Sequence, residues 1–363
     1  MAPGAGRRVL FLDGLRGLAI ILMVVNHTAR WWLDRSLGWP RYHLIYLTVP
    51  LAAPLFLFLA GFCVPLAYLQ ATEDRGERFR TILARYVRRG AWLVIGGWFL
   101  NLLVFPETPL FEGEVLQTIG ASIAVLTALA PVLRWPLARA LAGAVAVAWY
   151  ATFHQAQPAL VTWLKGHPVI SEVWFTGFPL WPWFAFPLLG AGLGWTWAER
   201  YRRGADDRVY WGALLVAGVA CLAAFLALEL RLGEAPWHFS NLRDLGVNGH
   251  WNPGAVSCLL ILGFTFLALS LVHQVMDVWG WRPRWLVVLG QSSLMLYFVH
   301  QLIALTLVRQ HLGIVLTSWG LFALADVGFV VVLAGLGWLW PELKRRARSA
   351  LGGLRHRPAP QAS

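Results

Sequence analysis

Charged side chains are scarce in this 363-residue chain: they make up 13%, about half of the roughly 25% usual in soluble domains. Hydrophobic residues make up 58%, and the mean hydropathy is +0.59. A chain so apolar cannot stay solvated as a coil, which excludes disorder. Cysteine is rarer still. Cys63, Cys221 and Cys258 each sit in an apolar run without metal-ligand spacing, which excludes a disulfide scaffold. Missing too are His-Glu-x-x-His, Gly-x-Ser-x-Gly, phosphate-loop and dinucleotide-binding patterns, coiled-coil heptads and internal repeats. What remains is an all-α polytopic membrane protein.

About 20 apolar residues are needed to cross the hydrocarbon core as a helix. Ten segments qualify: 9–30, 44–69, 90–105, 114–133, 136–153, 176–196, 210–230, 253–274, 285–305 and 317–340. The reading is a bundle of about ten transmembrane helices over residues 1–340, followed by a basic cytoplasmic tail over 341–363. The first segment is expected to be a retained span rather than a cleavable signal, because Asp13 and Arg16 interrupt it and no small-residue cleavage site follows.

The net charge is +12. Since the charges lie in short connectors, they point to topology and anionic membrane lipids and not to nucleic acid. With both termini placed in the cytoplasm, 22 of the 30 Lys and Arg fall on the inner side, seven fall outside, and Arg16 lies within a span. That asymmetry is the positive-inside signature.

Ionisable groups inside spans are costly, and each raises a functional question. Asp13 and Arg16, three residues apart on the first helix, can pair on one face. At 1.5 Å per residue, Arg16 lies about 9 Å deep and His27 about 25 Å. On the ninth span, Gln291, Ser292 and Ser293 come about 9–12 Å deep and His300 about 22 Å. Two polar levels therefore match between the helices. Asn26, Asn101, Gln117 and Asp326 are further intramembrane polar groups, read either as cavity lining or as helix–helix hydrogen bonds. Gly190, Gly192 and Gly194 read as a small-residue contact face. Trp181 and Trp183 stand among the aromatic residues clustered at span ends. No two His are spaced as a metal pair on one helix, so no metal is expected.

Leu12-Asp-Gly-Leu-Arg-Gly-Leu-Ala19, followed by an apolar run and Asn26-His27, resembles the opening of the transmembrane acyltransferase superfamily. Ala53-Pro-Leu-Phe-Leu-Phe-Leu-Ala-Gly-Phe62, Phe178-Pro-Leu-Trp-Pro-Trp-Phe184 and Leu289-Gly-Gln-Ser-Ser-Leu-Met-Leu-Tyr-Phe-Val-His300 are similar to its heparan-α-glucosaminide N-acetyltransferase catalytic branch, in matching order. The opening is shared with the sister membrane O-acyltransferases. The long extracytoplasmic loops and luminal domain of the heparan enzyme have no counterpart, so the glycosaminoglycan substrate is not carried over.

The resemblance implies an acyl-CoA donor, with acetyl-CoA expected, entering from the cytoplasm. The acyl group would pass to a hydroxyl or amine of a glycan or lipid-linked sugar across a membrane, expected to be a bacterial cytoplasmic one. His27 would be the general base, and Asp13 and Arg16 would be catalytic residues with it. Arg16, Gln291, Ser292 and Ser293 would contact the pantetheine or thioester. Arg85, Arg88 and Arg89 would hold the CoA phosphates, unless they only mark topology. His300, Asn26, Trp181 and Trp183 would face the acceptor. The alternative is a transporter or flippase whose polar channel does no covalent chemistry.

Overall fold

The computed structural model describes residues 8–153, 163, 166–167, 178, 180–232 and 255–355. Most of the connectors at 154–175 and 231–252, the side chain of Trp181 and the last eight residues of the tail lie outside the described set. Among the described residues the regular structure is helical, apart from an isolated bridge between Leu33 and Leu316. The helices are α1 (Leu10–Trp32), α2 (Gly38–Leu69), α3 (Phe79–Val104), α4 (Val115–Leu133), α5 (Pro136–Phe153), the single turn α6 (Leu180–Trp183), α7 (Ala185–Arg202), α8 (Arg208–Leu232), α9 (Ala255–His273), α10 (Arg284–Gln291), α11 (Ser293–Gln301) and α12 (Trp319–Arg355). A π-helical stretch, Leu302–His311, continues α11.

Six helices are long and apolar enough to cross a membrane, or up to seven if the bent pair α10–α11 counts as one span. The ten expected segments all carry helix, but α3, α5 and α7 fall short of that test. The first half of α3 holds Arg80, Arg85, Arg88 and Arg89, and α7 ends in Glu199, Arg200 and Arg202. The helix α5 is apolar over Pro136–Ala148, the part whose side chains are described. The last helix continues into the basic segment expected after residue 340: α12 runs through Pro341 to Arg355, and Glu342 pairs with Arg345 and Arg346 one turn on.

Burial separates centre from rim. In α1 and α2, 61% of the spanning window is buried inside the protein, against 22% in α8. Val209, Val216, Leu324 and Val331 on α8 and α12 are exposed apolar residues, as a lipid-facing surface requires. Phe11, Leu15, Leu55, Phe58 and Phe62 are fully buried at the centre.

Small residues set the closest approaches. A Cβ at Gly290 would overlap the backbone carbonyl of Asp13, so α10 lies directly on the first turn of α1. Gly190 and Gly194, one turn apart, let α7 rest on the Phe58 and Phe62 backbone of α2. Gly192 does not share that face: a Cβ there would meet only the Arg139 carbonyl, at 3.7 Å. The expected three-glycine face is therefore a pair at i,i+4, because two residues along a helix turn the side by about 200°. At the other end of α1, Trp32 Nε1 donates to the Ala304 carbonyl (2.9 Å) and Thr28 Oγ1 to Asp326 (2.5 Å).

Candidate active site

Two cavities lie along α1. The first, of about 460 Å³, is lined by Arg8, Arg16, Cys63, Tyr86 and Arg89 together with Gln291 and Ser293. It is cationic because its lining holds three guanidinium groups and no carboxylate. Asp13, 2% exposed, accepts from Arg8 Nε (2.5 Å) and Arg16 Nη1 (3.0 Å). Gln291 Nε2 lies 3.4 Å from Asp13 Oδ2, and Arg16 Nη2 lies 3.0 Å from Cys63 Sγ. The helix breaks at Ser292, with an 81° bend between α10 and the helix that follows. The break turns Gln291 and Ser293 into the cavity, an irregular backbone tolerated at membrane depth because it lines one.

The second cavity, of about 320 Å³, lies toward the C-terminal end of α1. Asn26, His27, Arg30, Trp31, Glu112 and Glu114 supply its functional groups. Both volumes fall in the usual range for small-molecule sites. Phe56, Val115 and Tyr297 line both cavities and form the wall where they meet.

His27 Nδ1 lies 2.8 Å from His300 Nε2, with the rings stacked 4° from parallel. The tautomers follow from the far end of this chain. His300 Nδ1 lies 2.9 Å from the Leu296 carbonyl, which only accepts, so that nitrogen carries the proton. His300 Nε2 is then the acceptor, and His27 donates to it from Nδ1. His27 Nε2 keeps its lone pair, has no partner among the described residues, and belongs to the side chain that lines the second cavity. A base held in one tautomer by a buried neighbour is the arrangement proton abstraction needs.

The loop between α3 and α4 brings the carboxylates. Asn101 Nδ2 donates to the carbonyls of Leu110 (3.2 Å) and Glu112 (2.9 Å), and Gln117 Nε2 to that of Glu112 (3.1 Å). These amides hold the loop. Glu114, in the connector just ahead of the Val115–Leu133 span, is pushed up to about 7 by burial first and by Glu112 second.

The expected site residues divide accordingly. Arg16, Gln291, Ser293 and Arg89 line the first cavity, while His27 and Asn26 line the second. Asn26 Nδ2 also donates to the Ile45 carbonyl (2.7 Å). His300, expected to face the acceptor, is fully buried and lines neither cavity; it stands behind His27. Ser292 lies at the bend and points the other way, donating to the Gly337 carbonyl (3.2 Å). Arg85 and Arg88 separate from Arg89: they line a shallow surface pocket with Arg80, and Arg85 pairs with Glu77. Trp183 is a core residue stacked on Phe178 at 4.4 Å, not a cavity wall. Among the described residues no group of three His, Cys, Asp or Glu stands close enough to hold a metal.

Sequence reasoning missed Arg8, Trp31, Cys63, Tyr86, Glu112 and Glu114 as lining residues. Trp31 stacks on His27 at 4.7 Å. A signal for Glu114 was present: the apolar segment 114–133 begins with it, and an ionisable group in such a segment raises a functional question.

No curated protein matches the sequence. The model of a family described as heparan-alpha-glucosaminide N-acetyltransferase, catalytic, matches residues 8–229. That stretch carries Arg16, Cys63 and Arg89 of the first cavity and His27 and Glu114 of the second, and ends before the bent helix with His300. With well over half of its length matched, this integral membrane chain belongs to the heparan-alpha-glucosaminide N-acetyltransferase catalytic family of acyltransferases.

Proposed function

We propose that the protein transfers an acetyl group from acetyl-CoA, bound from the cytoplasm, to an amine or hydroxyl of a glycan or lipid-linked sugar on the other side of a bacterial cytoplasmic membrane. The observation that carries this reading is the pair of cavities meeting at Phe56, Val115 and Tyr297, one cationic and one holding a base of fixed tautomer. Arg16 and His27 are 11 residues apart on α1, about 16 Å. A donor anchored by phosphates beyond Arg16 needs a long thin arm to reach the wall, and CoA has one. Its thioester supplies the activated acyl group.

Arg89 and Arg8 hold phosphate oxygens, since guanidinium forks match them. Gln291 and Ser293 orient the acyl arm beside Arg16. His27 Nε2 takes the proton from the acceptor nitrogen or oxygen as that atom attacks the acyl carbonyl. The new C–N or C–O bond forms, the C–S bond breaks, and the departing sulfur becomes the CoA thiol as a proton is returned. His300 keeps the His27 ring in place and accepts from Nδ1. Asn26, Glu112 and Glu114 face the acceptor. In this reading about ten helices cross the membrane and both ends are cytoplasmic, so reporter tags at either terminus should give cytoplasmic signal. Termini reporting opposite sides would overturn that topology.

The test is acetyl transfer by the purified protein, with CoA binding read as thermal stabilisation. Arg89→Gln is expected to raise KM for acetyl-CoA tenfold or more, because a charge-assisted hydrogen bond contributes about 1.5–3 kcal/mol. Arg88→Gln, on the surface pocket, should change it less than twofold. Equal effects of the two, or absence of stabilisation by CoA, would reject the donor assignment and favour a transporter.

A further inference from the structure

Basic residues are few at the His27 end of the bundle, yet four arginines converge there on one concavity. Arg30, Arg35, Arg41 and Arg309 line a cavity of about 650 Å³ with Asp34 and Trp31. They come from four places in the chain: the last turn of α1, the turn Arg35–Leu37, the start of α2 and the π-helical stretch after α11. Backbone hydrogen bonds draw these together. Leu316 N donates to the Trp32 carbonyl (2.6 Å) and Asp34 N to the Leu316 carbonyl (2.9 Å), so the end of α1 is zipped to the segment after His311. Arg41 Nε and Nη2 donate to the carbonyls of Leu33 and Arg30, both at 3.0 Å, and fix its guanidinium in the wall.

Four guanidinium groups and one carboxylate leave this lining at +3. Asp34 accepts from the backbone N–H of Ser36 (2.8 Å), and among the described residues Arg35 and Arg309 form no ion pair and are exposed. The cavity also shares a wall with the second one: Arg30 and Trp31 line both, and Trp31 stacks on His27. Whatever sits on these arginines is one aromatic ring away from the base.

We propose that this cavity is an anion subsite for the acceptor, holding a phosphate or pyrophosphate ester attached to the sugar whose amine or hydroxyl reaches His27. The inference rests on the transfer reading above and adds the substrate class to it. A concentration of arginine at the end of a membrane protein where basic residues are otherwise sparse runs against topology and calls for a ligand. A net +3 suits a multiply charged oxyanion, and planar forks bind phosphate oxygens in pairs. The wall shared with the His27 cavity makes the anion part of the acceptor and not a bystander.

The experiment compares two acceptors, a hexosamine and its 1-phosphate, with the full-length protein in neutral-lipid nanodiscs. The phosphorylated sugar should show a KM at least tenfold lower. The double variant Arg35→Gln, Arg309→Gln should erase that difference and move the KM for acetyl-CoA less than twofold. Both side chains are exposed, and stabilisation by CoA reports that the variant is folded. Inorganic pyrophosphate, titrated with CoA saturating, should bind the wild type and bind the double variant at least tenfold more weakly. Equal KM values for the two acceptors in the wild type, or a double variant that affects both alike, would overturn the subsite. So would an effect appearing only when phosphatidylglycerol is added to the bilayer, which would assign the arginines to lipid headgroups. If neither sugar is acetylated, the transfer reading fails, and the pyrophosphate titration still decides whether the subsite exists.

Discussion

His27→Ala is expected to lower acetyl transfer by 10²–10⁴-fold, about 3–5 kcal/mol of barrier, while CoA still stabilises the protein. The two halves of that result have separate origins. His27 is the histidine that lines the second cavity, and its Nε2 is the lone pair left once Leu296 has fixed His300 and His300 has fixed Nδ1. The arginines of the first cavity lie beyond the Phe56–Val115–Tyr297 wall, so donor binding does not pass through the imidazole. In the proposed mechanism His300 acts through His27 and does not touch substrate. His300→Ala should therefore cost less than His27→Ala, and His300→Gln less again, because a glutamine oxygen can accept from Nδ1–H. Only the His300 variants should alter the acid limb of the pH–rate profile while His27 remains titratable. Near-normal turnover by His27→Ala together with a deep loss in His300→Ala would reverse the roles. Normal turnover by both would remove the general-base step altogether.

The two polar levels were legible because depth along a helix is simple arithmetic. Arg16 with the Gln291 cluster, and His27 with His300, could be matched at 1.5 Å per residue before any packing was known. The structure brings Gln291 to Asp13 and His27 to His300. Direction within a level was not legible. Ser292 turns to Gly337 because the helix bends by 81° at that residue, and a depth count assumes a straight rod. Arg85, Arg88 and Arg89 read as one cluster in the connector, but α3 is helical from Phe79 onward. At 100° per residue, Arg88 lies about 60° to one side of Arg85 and Arg89 about 40° to the other, so Arg88 and Arg89 stand about 100° apart and only Arg89 reaches the cavity. The outer arginines were counted as a topological minority. Their convergence depends on the Trp32–Leu316 and Asp34–Leu316 backbone bonds, made across nearly 300 residues of sequence. Ten segments were expected, and among the described residues six helices, or seven with the bent pair, pass on length and apolarity. The helices α3 and α7 carry their arginines inside the helical stretch, which takes them below that test although their apolar parts match the expected segments.

Asp13→Ala is expected to destabilise the protein by about 3 kcal/mol, read as a lower melting temperature in detergent. The carboxylate is 2% exposed and holds Arg8 and Arg16, with Gln291 Nε2 beside it. Removing one partner of a buried pair typically costs 3–5 kcal/mol, because the other charge stays behind unpaired. The low end applies here, since the Arg16 side chain is 31% exposed to the cavity and partly solvated. Deleting both partners, in Asp13→Ala with Arg16→Ala, should recover part of the loss by removing the stranded charge. Asp13→Asn keeps the shape and one acceptor oxygen, so it should fold and raise KM for acetyl-CoA as Arg8 and Arg16 lose their anchor. Its kcat should stay within tenfold of wild type: Asp13 and His27 are 14 residues apart on α1, about 21 Å. A fall of 10³ in kcat at constant KM would instead place the carboxylate in the chemistry. A double variant less stable than Asp13→Ala would show that the stranded Arg16 charge is not the source of the loss.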